Sequence, residues 1–355
     1  MIHSIKPLPI KIGLVFGGAS GEHQVSIRSA QTLVRALREG TNSERYDVKC
    51  FYIDLQGYCW PSIVAESILK EDLFNQAIEF TNTSKQKGFR GMPEEADLID
   101  IWCLALHGPN GEDGTIQGLF TLMQKPFTGS GVLGSAVSMD KQAMKACFTA
   151  VGLPQVPYIC LDILELERIP NKLVNRIEKS LGYPCFVKPA NLGSSLGISK
   201  CNSRQELISG LKLASAYDSR LVVERAVIAR EIECAVVGKS VLRASVLGEI
   251  CFENEWYDYT TKYTKGSSYM VIPAHLSEET TRRARELSLE ACRAVGAYGI
   301  ARVDFFYVES TNNLWVNEIN TLPGFTEQSM YPMLWMSSGL TLNELVHQLI
   351  KLAQE

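Results

Sequence analysis

At 355 residues and 39.4 kDa the chain is too long for one ordinary hydrophobic core, so two or three domains are expected, with 46% hydrophobic residues to fill them. A formal net charge of -4 and a pI near 5.9, without any concentrated basic run, exclude a nucleic-acid surface and leave small anionic substrates to be held locally. The apolar N-terminal stretch is too short to span a bilayer and no signal-peptide pattern follows it, and the ten cysteines stand singly without a C-x-x-C pair, so a cytoplasmic protein with reduced thiols, no zinc site and no membrane association is expected.

The first third alternates strand and helix, the pattern of an open α/β layer. KIGLVF reads as a strand and GGASGEH as the loop after it. A helix follows, with Ala30, Leu33, Val34 and Leu37 as its apolar stripe and Gly40 as its end. VKCFYI and IDIWCLAL are further buried strands, 115–124 is a helix, and the glycine-rich GSGVLGS limits the layer. GGASGEH could bring backbone N–H groups to an anion, but it lacks the G-x-G-x-x-G spacing of a dinucleotide turn and Asp54 is its only candidate ribose ligand. Glu22 in the same loop instead offers a carboxylate to a substrate ammonium. In ALHGPNGEDGTIQG, His107 either caps the strand or faces a ligand, and Gly108, Gly111 and Gly114 suggest close approach of the backbone to something.

A small α+β unit begins near Ser130. It runs through a helix in MDKQAMKACFTAVG, strand CFVKP, loop ANLGSSLG, strand ISK, a helix over 205–216 and strand LVVERAV. Lys188 beside the glycine- and serine-rich loop joins a point charge to a nest of loop N–H groups, which suits phosphate; a solvated hairpin turn is the plainer alternative. Glu224 and Glu231 flank a short linker and can accept from an adenine amino group or from ribose hydroxyls. Ordinary surface charge remains the alternative there.

The remainder, from about Ala226, holds strands EIECAVVG and SVLRASVLGEI, the polar loop WYDYTTKYTKGSS with the composition of a lid, a helix over 278–295 and a closing helix over 342–352. Between these helices ARVDFFYV and LWVNEIN read as a hairpin. Its register sets Asp304 opposite Glu318 and Arg302 opposite Asn320. A strict period of two adds Phe306 and Val316 to that face and turns Val303, Phe305, Trp315 and Ile319 to the packed side. Two carboxylates and an amide oxygen beside an arginine form a hard oxygen site suited to Mg²⁺ and phosphate. Gly324 and Ser329 follow at once in TLPGFTEQSMYP.

From GLVFGGASGEHQVS through LHGPNGEDGTIQG, GSGVLGSAVSMDK, FVKPANLGSSLG, REIECAVVG, YDYTTKY and ARVDFF to NEINTLPGFTEQSMYP, the chain resembles the ATP-grasp carboxylate–amine ligases and, within them, the D-alanine:D-alanine ligase family. The resemblance implies a three-domain ATP-grasp architecture with boundaries at 1–129, 130–225 and 226–355. It implies ATP as a substrate, two Mg²⁺ (or Mn²⁺) ions, D-alanine, and a homodimer. ATP would be held by Lys141, Lys188, Ser195, Glu224, Val227, Glu231 and Lys262, and the metal ions by Asp304, Glu318 and Asn320. Glu22 would take the first D-alanine's ammonium, linked through Ser194 to Tyr263, while Arg302 and the Gly324 N–H would form the oxyanion site. His107 and Val25 would lie at the first amino-acid site, and Ser329 and Met330, where leucine is common, at the second. The implied reaction phosphorylates one D-alanine carboxylate and lets the amine of a second attack the D-alanyl phosphate, supplying peptidoglycan precursors. The rivals are a ligase that joins D-alanine to D-serine or D-lactate, and an NAD-dependent oxidoreductase built on GGASGEH.

Overall fold

The computed structural model describes residues 8–70, 88–193, 196–252 and 268–355. Ser194, Ser195, Lys262 and Tyr263, with most of the expected lid, lie outside the described residues. The chain forms two compact units, Met1–Gly129 with Leu322–Glu355, and Ser130–Thr321.

In the first unit, strands β1 (Ile10–Gly17), β2 (Tyr46–Ile53), β3 (Cys59–Trp60) and β4 (Ile101–Leu106) form one sheet in the order β3-β2-β1-β4. β1 is parallel to both β2 and β4. Such strands are covered on both faces and therefore read as unbroken apolar runs, as IWCLAL does. The crossover helix His23–Arg38 buries Ile27, Ala30, Leu33, Ala36 and Leu37; Ala36 replaces the expected Val34 in the most buried stripe. The C-terminal helices Met330–Ser337 and Leu342–Gln354 belong to this unit. Asn42 Nδ2 donates to the Asn343 carbonyl at 2.9 Å, and Tyr46 Oη lies 2.6 Å from His347 Nδ1.

Within the second unit, a sheet ordered β5-β8-β6-β7 consists of β5 (Tyr158–Asp162), β6 (Cys185–Pro189), β7 (Ser199–Cys201) and β8 (Arg220–Arg225). Its helices Ile163–Arg168 and Pro170–Ser180, and strand β5, were not among the expected elements. Local signals for the helices do exist: the Asp162 carboxylate caps the Leu164 N–H at 2.8 Å, and Pro170 sits in a first turn, where its missing N–H costs nothing. A five-stranded antiparallel sheet follows, β11-β10-β9-β12-β13, from β9 (Arg230–Gly238), β10 (Arg243–Phe252), β11 (Ser268–Val271), β12 (Gly299–Val308) and β13 (Asn313–Asn320). Helix Glu278–Val295 covers its apolar face. Ile232, Cys234, Val303, Phe305, Val316 and Ala291 pack there with Met144 and Phe148 of helix Lys141–Ala150.

The hairpin register is as expected at its functional end, with Asp304 opposite Glu318 and Arg302 opposite Asn320, and differs beyond it. Phe305, not Phe306, faces Val316, and Trp315 pairs with Phe306. The pairing thus leaves Asn317 as an extra residue, a bulge that resets the alternation. Val316 and Phe305 are thereby both buried in the core, and Trp315 turns with Phe306 to the face of Arg302 and Asp304. A strict period of two cannot anticipate an inserted residue. The expected helix in MDKQAMKACFTAVG is Lys141–Ala150; a separate helix, Val132–Met139, precedes it and stops at Asp140, whose extended backbone lets its carboxylate cap the Ala143 N–H at 2.8 Å.

β1 ends at Gly17 with φ +95, and a Cβ there would stand 2.1 Å from the Ile53 carbonyl oxygen. That carbonyl accepts the Gly18 N–H at 2.7 Å, so the turn into GGASGEH is sealed against backbone. Gly17→Ala combines a disfavoured backbone with a backbone clash and should destabilise the first unit by about 2 kcal/mol or more. An unchanged denaturant midpoint for the variant would contradict this account of the turn.

Candidate active site

In the first unit the loop after β1 and the loop after β4 are tied together. Ser20 Oγ donates to the His107 carbonyl at 2.7 Å and accepts the Glu22 N–H at 3.2 Å. Ser26 Oγ accepts the Gly17 N–H at 2.7 Å and donates to the Ala105 carbonyl at 2.5 Å. The Glu22 carboxylate lies against Gly108, where a Cβ would come within 2.7 Å of Oε2. Glycine is needed here both for that approach and for φ +72. Val25 is half-buried in the first turn of the helix that begins at His23.

His107 is buried, and its ring joins the TLPGF segment to β4. Nδ1 donates to the Leu322 carbonyl at 3.0 Å; Nε2 lies 2.9 Å from Ser29 Oγ, which accepts the Phe325 N–H at 3.0 Å. The neutral ring therefore carries its proton on Nδ1 and accepts from Ser29. Burial alone would lower the imidazole pKa. The Glu112 carboxylate 3.6 Å from Nδ1, with Glu22 and the Leu322 carbonyl, more than offsets burial and raises it above 6.5. Downstream, Ser329 Oγ accepts the Thr326 N–H at 3.0 Å, and a Cβ on Gly324 would stand 3.1 Å from that oxygen. Met330 is buried.

In the second unit the polar face of the five-stranded sheet spans three neighbouring strands. Asp304 on β12 lies opposite Glu233 of β9 on one side and Glu318 of β13 on the other. Arg302 grips Asp304 with two hydrogen bonds of 2.7 Å and pairs with Glu233 Oε2 at 2.9 Å. Burial disfavours its charge, yet the Asp304 and Glu233 carboxylates hold the guanidinium well above its usual pKa. Glu233 was not among the expected site residues. The alternation of Glu231 and Glu233 places both on one face of β9, but nothing local says that β9 lies beside β12.

The lysines stand on the four-stranded sheet and the helix Lys141–Ala150. Lys188 Nζ donates to Glu224 Oε2 at 2.7 Å, and Lys141 Nζ donates to the Leu192 carbonyl at 2.7 Å, at the root of ANLGSSLG. That root is further held by Asp140, which accepts from Asn191 Nδ2 at 3.0 Å and pairs with Arg220. Burial lowers the Lys141 pKa. Burial opposes the charge of Lys188 as well, but Glu224, Glu318 and Glu231 raise its pKa. Burial likewise opposes the Glu224 carboxylate, and Lys145 and Lys188 together hold it well below the carboxylate range. Glu318 acts on both Lys141 and Lys188, so this hairpin acid and the phosphate-suited lysines face one region of this unit. Lys145, a second buried partner of Glu224, was also not expected; its spacing of four residues from Lys141 on one helix was the available signal. Val227 is half-buried in the link between β8 and β9.

Among the described residues no three His, Cys, Asp or Glu side chains converge as metal ligands. Asp304, Glu318 and the Asn320 amide nonetheless lie at adjacent register positions on one face, an all-oxygen donor set that suits a hard divalent cation better than a soft one. No helix among the described residues is long and apolar enough to cross a membrane.

Residues 11–130 match the family model of the D-ala D-ala ligase N-terminus and residues 147–351 that of the D-ala D-ala ligase C-terminus. The chain is 60% identical to a D-alanine--D-alanine ligase of Synechococcus sp. (strain CC9605), over 98% of this chain and 99% of that one. It is 56% identical to the one from Prochlorococcus marinus (strain MIT 9313), over 97% and 98%. Among solved structures it is similar to the D-alanine-D-alanine ligase from Coxiella burnetii, with TM-score 0.79 and 32% identity over 97% of this chain and 94% of that one. It is also similar to the VanG D-Ala:D-Ser ligase from Enterococcus faecalis, with TM-score 0.82 and 32% identity over 98% and 100%. Matched in both halves by the family models and by relatives over nearly its whole length, the chain belongs to the D-alanine–D-alanine ligase family, with its ATP-grasp fold.

Proposed function

We propose that the enzyme ligates two D-alanines at the expense of ATP through a D-alanyl phosphate, the dipeptide then serving peptidoglycan synthesis in the cytoplasm. The observation that carries the reading is the meeting, in one unit, of the Asp304, Glu318 and Asn320 face with Lys141, Lys188 and Glu224. Lys141 and Lys188 contact the phosphates, Glu224, Val227 and Glu231 the adenosine, and Ser195 and Lys262 complete the nucleotide site. Two Mg²⁺ ions held by Asp304, Glu318 and Asn320 would offset charge on the moving phosphoryl group. In the other unit, Glu22 takes the first substrate's ammonium with Val25 and His107 beside it, and Ser329 and Met330 serve the second substrate. The family resemblance assigns Ser194 and Tyr263 to the same reaction, in which water that would hydrolyse the acyl phosphate has to be excluded. Arg302, with the Gly324 N–H, meets the oxyanion that develops as the amine attacks. The three sheets suggest functional boundaries near residues 130 and 226, and a homodimer is the proposed assembly.

ADP release with D-alanine, L-alanine, D-serine and D-lactate, compared side by side, tests the assignment. D-alanine alone should support fast turnover with a dipeptide product. A mixed D-alanyl-D-serine or D-alanyl-D-lactate product from competing substrates at neutral pH would move the chain to the rival ligases.

Arg302→Met removes a preorganised donor and should lower kcat by about 10²–10³-fold. Glu318→Ala, which removes the acid opposite Asp304, should abolish ligation while the protein remains folded. If Arg302→Met weakened ATP binding and left kcat unchanged, the arginine would belong to nucleotide binding instead.

His107 gives a pH signature. Its folded pKa lies above 6.5, so the folded protein holds the imidazole proton more tightly than the unfolded chain does. The resulting stability is fully present below about pH 6.5 and is lost as pH rises through the folded value. His107→Gln lacks this contribution, so the gap in Tm between wild type and variant should narrow from pH 6 towards pH 9, on the order of the histidine range. A gap that stays constant or widens would refute the raised pKa.

A further inference from the structure

Lys145 has no part in the reading above, although it is among the largest side chains that are fully buried, at 1% exposure. Its Nζ lies 2.8 Å from Glu224 Oε1 and 5.0 Å from the centroid of the Tyr158 ring. On the other carboxylate oxygen, Oε2, Lys188 donates at 2.7 Å. A single buried carboxylate thus holds two lysines, one on each oxygen. Neutralising Glu224 requires one positive charge, and the cluster contains two.

The two cations are not equivalent. Lys145 projects from the helix into the protein, with Tyr158 and Glu224 around its ammonium, and has no exposed surface from which to reach a ligand. Lys188 stands on β6 immediately before ANLGSSLG and feels Glu318 and Glu231 as well as Glu224. We propose that Lys145 is a positioning residue for ATP: it supplies the counter-charge to Glu224, so that the charge of Lys188 is left over for the triphosphate, and it fixes the carboxylate with its remaining lone pairs turned to the nucleotide. This rests on the reading of Lys188 and Glu224 as nucleotide contacts. Without Lys145, Lys188 and Glu224 close into a neutral pair, and a buried pair of that kind yields its cation to a ligand only at the cost of an uncompensated carboxylate.

A purely structural lysine and a charge-balancing one differ in what a second substitution does. Equilibrium ATP binding is measured for wild type, Lys145→Met, Glu224→Gln and the double variant, with thermal melting to establish that each is folded. Lys145→Met should weaken ATP binding by about tenfold or more, the scale of one lost charge-assisted contact. Adding Glu224→Gln removes the anion that captures Lys188, so the double variant should bind ATP more tightly than Lys145→Met and within a few-fold of Glu224→Gln alone. Additive losses, with the double variant weakest of all, overturn the proposal, as does wild-type affinity in Lys145→Met. Should Lys145→Met fail to fold, the double variant, which has no unpaired buried carboxylate, is compared with Glu224→Gln, and a tenfold deficit in ATP affinity overturns it. A wild-type protein that does not bind ATP would remove the nucleotide-site reading itself, an outcome distinct from any of these.

Discussion

Like charges on neighbouring strands repel, and the architecture of the second unit depends on how that repulsion is met. Glu233, Asp304 and Glu318 stand side by side across β9, β12 and β13, the first buried and the other two half-buried. Arg302 answers two of them directly, and Glu318 acts on Lys141 and Lys188. Isolated, either set of charges would be costly to bury; together they draw the four-stranded and the five-stranded sheets of this unit to one polar region. A divalent cation held by the acids would add to the same balance and would not create it.

Helix Lys141–Ala150 makes that arrangement possible by having two chemistries on neighbouring edges. Met144 and Phe148 are part of the core beneath the five-stranded sheet, while Lys141 and Lys145 reach Leu192 and Glu224 on the four-stranded side. Its N-terminus is fixed by Asp140, which caps the helix with one oxygen and holds Asn191 and Arg220 with the other. One aspartate therefore sets the helix start and the root of the glycine- and serine-rich loop at once.

The first unit solves a different problem, which is to present a carboxylate at a loop without losing the loop's shape. Backbone groups serve as most of the partners: Gly18 N–H on the Ile53 carbonyl, Ser20 on the His107 carbonyl, Ser26 on the Ala105 carbonyl. His107 extends the tie to Leu322 and, through Ser29, to Phe325, so the TLPGF segment is held by the end of β4. The GGASGEH turn has the glycines of an anion-binding loop, and within it Ser20 Oγ bridges the Glu22 N–H to the His107 carbonyl.

Periodicity and turn chemistry determined a good deal on their own. That KIGLVF and IDIWCLAL are strands, that 278–295 is a helix and that Asp304 pairs with Glu318 all follow from short-range rules, because a strand or helix is read from its own periodicity and a hairpin is closed by near neighbours. Only the tertiary structure decided the rest. The bulge at Asn317 turns Trp315 away from the core because Val316 is needed beneath β12, a demand made by the packing of Phe305 and Val303. Glu233 enters the site through its pairing with a strand some seventy residues away, and Lys145 through a carboxylate on a different sheet. A charge's role depends on its burial and on which opposite charge shares that burial, and both are set by elements the local sequence does not contain.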